Sequence, residues 1–377
     1  MNPSVHNLSE VNNTLKFTLQ GINVSMANAL RRIILSDIPC IVIDTSIDNE
    51  QDPSCIITAN NSRFTNEIIK QRLGCIPVHI TDLSTPIDQY IVELNVKNTG
   101  MQIETITTKD FKIKNNTNGK YLSDADTSKI FPANKQTKSH IDIMRLRPRI
   151  SEDIPGEEIN LTCKFKITDA NEDASYVVAS TSAYGNTPDD LKITKAWKEY
   201  EIELKSRDIT SEDLEQEMKN WHILSAQRHY KPDSFDYTII SVGVHKNMEL
   251  VNIACDVMTK KLEEVILTKI DNGTLIVNQT VSSMTYTYDI ILENEDYTVG
   301  KVLEYMLYAL YFKGDKTLKY CGFEKKHPHD TNSTIRISFN VNNGASGVDK
   351  QAVNGYMKNV AQLSIELFNE IKSNFNF

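Results

Sequence analysis

The chain has 377 residues, a formal net charge of −9, 40% hydrophobic residues and 24% charged residues. That length predicts two or three domains with more than one sizeable core, and the composition is that of a soluble globular protein. The acidic balance argues against a main role in gripping nucleic-acid phosphates, whose footprint is usually basic.

Residues 13–20 (NTLKFTLQ) alternate apolar and polar positions and predict a half-buried strand. Gly21 turns the chain, Ser25 is the expected N-cap, and Ala27, Leu30, Ile33 and Ile34 fall on one helical face. Asn28, Arg31, Arg32 and Leu35 lie on its other sides. Pro39 stops this helix, and CIVIDTSI resumes as a strand. A short helix follows around Phe64, Ile68 and Ile69, with Gly74 expected at the left-handed position after its end and Pro77 beyond. Residues 81–178 read as strands separated by polar turns, among them YIVELNVKN, FKIKN and LTCKFKITD. From 185 to 234 the pattern is weak, apart from an acidic helix at 207–221 capped by Thr210 or Ser211.

A strand at 235–244 precedes a strong helix at 248–268, in which Val251, Cys255, Met258, Leu262 and Val265 recur at spacings of three and four, with Asn247 as cap. The last hundred residues repeat this plan. Strands TLIVNQTV and TYTYDIILEN lead to a helix capped by Thr298, with Asp296 close to its positive end. Val299, Val302, Leu303, Met306, Leu307 and Leu310 make the apolar face. A strand at 334–341 follows, then a closing helix at 348–374 with an expected seam of Val353, Tyr356, Val360, Leu363, Leu367 and Ile371. Two similar α+β units, each exposing an apolar helix, would bury both by packing together.

No apolar run approaches the length of a membrane span, and MNPSVHNLSE lacks the basic start and apolar middle of a signal peptide. A cytosolic setting is therefore expected. The six cysteines, Cys40, Cys55, Cys75, Cys163, Cys255 and Cys321, contain no CxxC pair. They read as buried free thiols, with no metal site and disulfides disfavoured. His327 and His329 in KKHPHD form a poor metal site without a third ligand, and read as a structured turn. His222, His229 and His245 have no acid or nucleophile at a telling spacing.

ANALRRIILSDIPCIVID together with TNEIIKQRLGCIPV resembles the alpha-type assembly subunit of multisubunit DNA-dependent RNA polymerases. SYVVASTSAYG and FDYTIISVGVHKNMELVNIACDVMTKKLEEVI resemble the segments that return to, and close, its dimerisation domain. EDYTVGKVL, YCGFEKKHPH and IRISFN resemble the small partner of that subunit, so both halves of a heterodimer are expected in one chain. The resemblance implies an α+β fold of two alpha-N-terminal-domain-like dimerisation units forming an intramolecular pseudo-dimer, with an inserted β-rich domain in the first. The expected boundaries are 1–48 and 179–270 for the first dimerisation domain, 49–178 for the inserted domain, and 271–377 for the second. Such fusions are similar to those of large nucleocytoplasmic DNA viruses, and the heavy use of asparagine, isoleucine and lysine agrees. A viral source implies the host cytoplasm, its viral factory or the virion as location, with the nucleus as an alternative.

The same resemblance implies a non-catalytic subunit that nucleates assembly of the largest and second-largest polymerase subunits, alongside other small subunits. It implies no cofactor, no metal, no membrane, little or no direct DNA contact and no homodimer. Relatives that carry a zinc or iron–sulfur cluster hold it with closely spaced cysteines in the inserted domain, and this chain has no cysteine from 76 to 162. Asn28, Arg31, Arg32 and Arg72 are the expected large-subunit interface, against a solvated helix face for the two adjacent arginines. Arg72 reads equally as a local partner of helix-end carbonyls. The expected pseudo-dimer interface is Leu30 and Ile34 in the first helix, Val251, Met258 and Leu262 in the next, then Val299, Leu303 and Leu307, and Val360, Leu363 and Leu367 in the last. The competing function is an enzyme of unrecognised type with its site in the β-rich domain.

Overall fold

The computed structural model describes residues 1–46, 53–151, 154–207, 210–280, 284, 286–340 and 349–375. The expected boundary at 48/49, the strand ends at 281 and 341 and the helix start at 348 lie outside these residues. The chain forms two compact units. One comprises Met1–Ile34, Thr181–Ile240 and Asn247–Phe377, and the other Leu35–Ser180 and Ser241–Lys246.

The chain opens with an antiparallel hairpin of β1 (Ser4–Val11) and β2 (Thr14–Gln20). Val11 pairs with Thr14, and Asn12 and Asn13 between them have φ of 51° and 58°. Asparagine tolerates the left-handed region that both positions of such a turn require. Strand β1 was not legible in the sequence because its side chains are mostly exposed. Gly21 follows at φ 78°, where a Cβ would lie 2.1 Å from the Asn2 carbonyl oxygen. Helix α1 (Val24–Ser36) buries Met26, Ala27, Ala29, Leu30, Ile33 and Ile34. Its cap is Asn23 rather than Ser25: the Asn23 Oδ1 accepts from the Ser25 amide at 2.9 Å, and the Asn23 carbonyl accepts the first helical bonds.

The second unit is a β structure. It holds β3 (Cys40–Ile43), β4 (Cys55–Asn60), α2 (Asn66–Gly74), β5 (Tyr90–Lys97), β6 (Glu104–Thr107), β7 (Lys112–Asn115), α3 (Asp124–Ile130), β8 (Asp142–Leu146) and β9 (Glu158–Thr168). Strand β9 is the spine. It pairs with β5 along one edge and with β4 and then β3 along the other, while β6 and β8 form a separate ribbon. All four residues of β3 are buried, which explains the unbroken apolar run CIVI. This pairing groups β3 with residues 35–180, whereas the sequence placed it in the first dimerisation domain. Gly74 does not leave the helix in a left-handed conformation. It ends α2, and a Cβ there would meet the Thr45 Oγ1 at 3.1 Å, so close approach rather than φ calls for glycine.

The chain returns to the first unit through β10 (Ala179–Pro188), α4 (Asp190–Lys205), α5 (Ser211–Ile223) and β11 (Tyr230–Ser241). Thr210 caps α5, accepting from the Asp213 amide at 3.2 Å. Helix α6 (Asn247–Leu262) continues through a π-helical turn, Glu263–Thr268, into α7 (Lys269–Asp271). Asn247 is the first residue of α6, and its side-chain amide donates to the Glu10 carboxylate and the Asn13 carbonyl. Then follow β12 (Val277–Gln279), β13 (Thr287–Leu292), α8 (Tyr297–Leu307), a π-helical stretch Tyr308–Gly314, β14 (Leu318–Glu324), β15 (Ser333–Phe339) and α9 (Lys350–Ser373).

The two sheets of this unit run β1-β2-β11-β10 and β12-β13-β15-β14. With residues 35–180 and the α4–α5 pair set aside, each block reads strand, strand, helix, strand, strand, helix. Each sheet has its first two strands adjacent, then its fourth, then its third. Helix α9 packs on both α6 and α8. Its buried face is Val353, Met357, Val360, Ala361, Ser364, Leu367, Phe368 and Ile371. The stripe keeps a seven-residue repeat, with Val353, Val360 and Leu367, then Met357, Ser364 and Ile371, then Ala361 and Phe368, but it is wider than the expected seam and turned from it by one residue at alternate positions. Met357 and Ser364 therefore take the places foreseen for Tyr356 and Leu363, which are half-buried. The buried Ser364 hydroxyl is satisfied by donating to the Val360 carbonyl at 2.7 Å.

Candidate functional site

Three of the four residues expected at the large-subunit interface, Asn28, Arg31 and Arg32, lie on α1, in the first unit. Asp296, not Thr298, caps α8: its Oδ1 accepts from the Thr298 amide at 2.8 Å. This frees the Thr298 hydroxyl oxygen to accept from the Arg32 Nε at 2.8 Å, and the Arg32 Nη2 donates to the Asp296 carboxylate. One guanidinium thus reaches across from α1 and engages the capping carboxylate and hydroxyl of α8. Burial works to raise the Asp296 pKa, but the Thr298 amide and hydroxyl and the Arg32 charge hold it below the usual carboxylate range.

Arg31 behaves differently. Its Nε and Nη2 donate to the Asn28 Oδ1 at 3.1 and 2.9 Å, one turn back on the same helix. Asn28 lines a cleft of about 530 Å³ with Val24, Ser25, Tyr184, Lys301, Glu304, Tyr305, Tyr308 and Cys321. Val24 and Tyr308 are 48% and 41% exposed, so the cleft carries apolar and aromatic surface to solvent beside the polar pair. Behind it β11 is tied to α1. The Tyr237 hydroxyl donates to the Ala27 carbonyl at 2.7 Å and its ring stacks on Phe17 at 4.9 Å. On α8, a Cβ on Gly300 would fall 1.9 Å from the Phe323 ring, so glycine is needed for β14 to lie against the helix.

The remaining predicted interface residues of the paired helices are buried: Leu30, Ile34, Val251, Met258, Leu262, Val299, Leu303, Leu307, Val360 and Leu367, with Leu363 the half-buried exception. Sequence reasoning missed Asp296 as cap and as the partner of Arg32. The signal was there in part: Asn23-x-Ser25 and Asp296-x-Thr298 share one pattern, an Asx cap two residues before a hydroxyl.

The chain was compared with known proteins. The family described as the RNA polymerase Rpb3/Rpb11 dimerisation domain matches residues 16–262. The chain belongs to this family. It is 24% identical over 278 residues to the DNA-directed RNA polymerase II subunit RPB3 of Schizosaccharomyces pombe, covering 69% of this chain and 84% of that one. It is 23% identical over 270 residues to the DNA-directed RNA polymerase subunit Rpo3 of Methanosphaera stadtmanae, covering 66% and 92%. An 83-residue stretch is 37% identical to Rpo3 of Pyrococcus furiosus, covering 22% and 26%. These likenesses support an RNA polymerase alpha-like subunit.

Within the second unit of this Rpb3/Rpb11-family chain, Arg72 is committed to strand carbonyls rather than to the end of its own helix. Its Nε and Nη2 donate to the Ile143 and Asp142 carbonyls of β8 at 2.6 and 2.8 Å, and its guanidinium lies 5.5 Å from the Phe64 ring centre. An apolar groove of about 310 Å³ runs past Cys40, Cys75, Pro77, Tyr176, Val178 and Val242. Burial pushes the Cys40 thiol up to about 11 and those of Cys255 and Cys321 to about 12, so these stay protonated near neutrality. His327 and His329 are exposed, with the His329 amide donating to the His327 Nδ1 at 3.1 Å. Among the described residues no three His, Cys, Asp or Glu side chains could hold a metal ion, and no helix is long and apolar enough to cross a membrane.

Proposed function

We propose that this chain is a non-catalytic architectural subunit of a DNA-directed RNA polymerase, and that it presents a pseudo-dimer platform on which the two large catalytic subunits assemble with other small ones. The observation that carries this reading is the repeated block: two sheets of one strand order, in one compact unit, with α9 packed on α6 and α8. The family match reaches residue 262, and the second block, beyond it, repeats the topology of the first. On this reading residues 271–377 stand in for the separate small partner of the relatives, and the β structure of residues 35–180 is the insertion. The asparagine-rich composition fits a viral source, with the host cytoplasm or virion as the place of action.

In this reading the large-subunit contact falls on Asn28 and Arg31 and the exposed apolar rim beside them, while Arg32 is occupied in joining the two blocks. Aromatic and arginine side chains bordered by apolar surface are the usual anchors of protein interfaces. The test is affinity capture of the tagged chain from cells that express the whole polymerase. Two very large chains should co-purify in equal amounts. Asn28→Ala with Arg31→Ala should reduce their recovery at least tenfold without shifting the melting temperature of the free chain. Recovery of no large chain by the parent protein would overturn the proposal, and undiminished recovery by the double variant would move the contact elsewhere.

A further inference from the structure

Two of the six cysteines, separated by more than a hundred residues, meet in the core of the second unit. Cys55 opens β4 and Cys163 lies in β9, and the two are direct cross-strand partners. The next pair outward is hydrogen-bonded, the Lys164 amide donating to the Ser54 carbonyl at 2.8 Å. Alternation along an antiparallel ladder then makes Cys55 and Cys163 a non-hydrogen-bonded pair, where Cα atoms approach to about 4.5 Å and side chains are closest. That spacing lies within the range a disulfide spans. The sulfurs are 3.0 Å apart, with the Cys163 thiol donating to the Cys55 sulfur. A bond between them needs a closing movement of only about 1 Å.

We propose that Cys55 and Cys163 form a reversible disulfide site that staples β4 to the central strand β9 of this unit. The site is set apart from the other thiols by its register. Among the described strands β4 pairs only with β9, so Cys55 sits on an edge strand, whose local opening admits a small oxidant to side chains that are otherwise 2% and 1% exposed. The hydrogen bond from Cys163 favours the thiolate on Cys55 against the opposing effect of burial, and Lys70 adds positive potential. Cys163 is pushed up by the same bond and by burial, and holds its proton. The pair thus has an attacking sulfur and a resolving thiol.

With a peroxide as oxidant the chemistry balances in two steps. The Cys55 sulfur attacks one peroxide oxygen, the O–O bond breaks, and a sulfenic acid and one water result. The Cys163 sulfur then attacks the Cys55 sulfur, the S–O bond breaks, and the hydroxyl leaves with the Cys163 proton as a second water. Two thiols are oxidised by two electrons in all, and one peroxide is reduced. A dithiol reverses the bond by exchange.

The experiment uses the full chain carrying Cys75→Ser, which removes the exposed thiol, treated with hydrogen peroxide, alkylated and mapped by mass spectrometry without reduction. The expected result is a peptide pair linking Cys55 to Cys163 with the loss of two hydrogens. Free thiols should fall by two, and the melting temperature of the second unit should rise by roughly 5–10 °C. Dithiothreitol should undo both changes, and a chain that also carries Cys163→Ala should show neither. Because Cys163→Ala removes a core side chain, the linkage map of the otherwise native chain stands as an independent readout. Peroxide that oxidises Cys321 or Cys40 while leaving Cys55 and Cys163 unlinked overturns the proposal. So does a linked pair that leaves the melting temperature where it was.

Discussion

Replacing Arg32 by alanine should destabilise the first unit, and replacing Arg31 should not. The contacts of Arg32 with the α8 cap include a hydrogen bond to the Thr298 hydroxyl and a charge-assisted contact to the Asp296 carboxylate, with the two charged side chains about one-third exposed at 33% and 34%. Hydrogen bonds to charged groups contribute about 1.5–3 kcal/mol when buried, and exposure reduces this towards the value of a surface pair. The net loss for Arg32→Ala is therefore about 1–2 kcal/mol, or roughly 3–6 °C in a unit of this size. Arg31→Ala removes a contact to Asn28 within one helix, which is worth about 0.5 kcal/mol or less. Asp296→Asn separates charge from capping, since asparagine caps a helix as well as aspartate does. A double-mutant cycle of Arg32→Ala with Asp296→Asn, read by urea unfolding, should give a coupling of about 1 kcal/mol. Additivity within about 0.3 kcal/mol, or equal losses for Arg31→Ala and Arg32→Ala, would refute the assignment of Arg32 as a link between helices.

Gly300→Ala should destabilise by about 1–2 kcal/mol, measured by thermal melting, because overpacking against Phe323 outweighs the gain in helix propensity. Stability should fall in acid, with Asp289 and Asp296 among the carboxylates responsible. Asp289 is held low mainly by its paired hydrogen bonds from Arg336 at 2.6 and 2.7 Å, and Asp296 is also held low, so each stabilises the folded state above the ordinary aspartate pKa near 3.8 and loses that contribution as pH falls through its lower folded value. Asp289→Asn should flatten the urea midpoint below pH 4. The isolated chain should sediment as a monomer at micromolar concentration, because the second block is tethered to the first at high effective concentration, and a mass near twice that of the chain would contradict this.

What the sequence revealed depended on how each element is buried. Helices α6 and α8 bury one stripe each, so their faces were legible residue by residue, down to Val251, Met258, Val299 and Leu303. Helix α4 was invisible. It buries Leu204 while leaving Leu191 and Ile202 at 85% and 71% exposed, and a helix without a buried stripe has no period to read. In α9 the element and its seven-residue repeat were clear but its rotation was not: the buried positions are Met357 and Ser364, each one residue on from Tyr356 and Leu363, and a serine is not the residue an apolar count selects for a core position. The roles of Arg31 and Arg32 were indistinguishable, being adjacent and alike. What separates them is a carboxylate 264 residues away, and nothing local announces it.

The link from Arg32 to Asp296 also bears on why two blocks would sit in one chain. An offset of 273 residues aligns Asn23 with Asp296, Ser25 with Thr298, Leu30 with Leu303 and Arg32 with Tyr305. In a pair related by a two-fold axis, the contact of Arg32 with the α8 cap would have its mirror in Tyr305 against the α1 cap, and Tyr305 and Ser25 do line the same cleft. The mirrored partners are neutral where the first pair is ionic. Two copies of the first block would set Arg32 against a neutral Asn23, and two copies of the second would set Asp296 against a tyrosine. A half-buried charge without its counter-charge is costly, so unlike blocks pair better than like ones. Charge at one position of the helix pair thus disfavours the pairing of like blocks, and the tether, which holds the unlike block of the same chain at high effective concentration, then favours the monomer over an exchanged dimer.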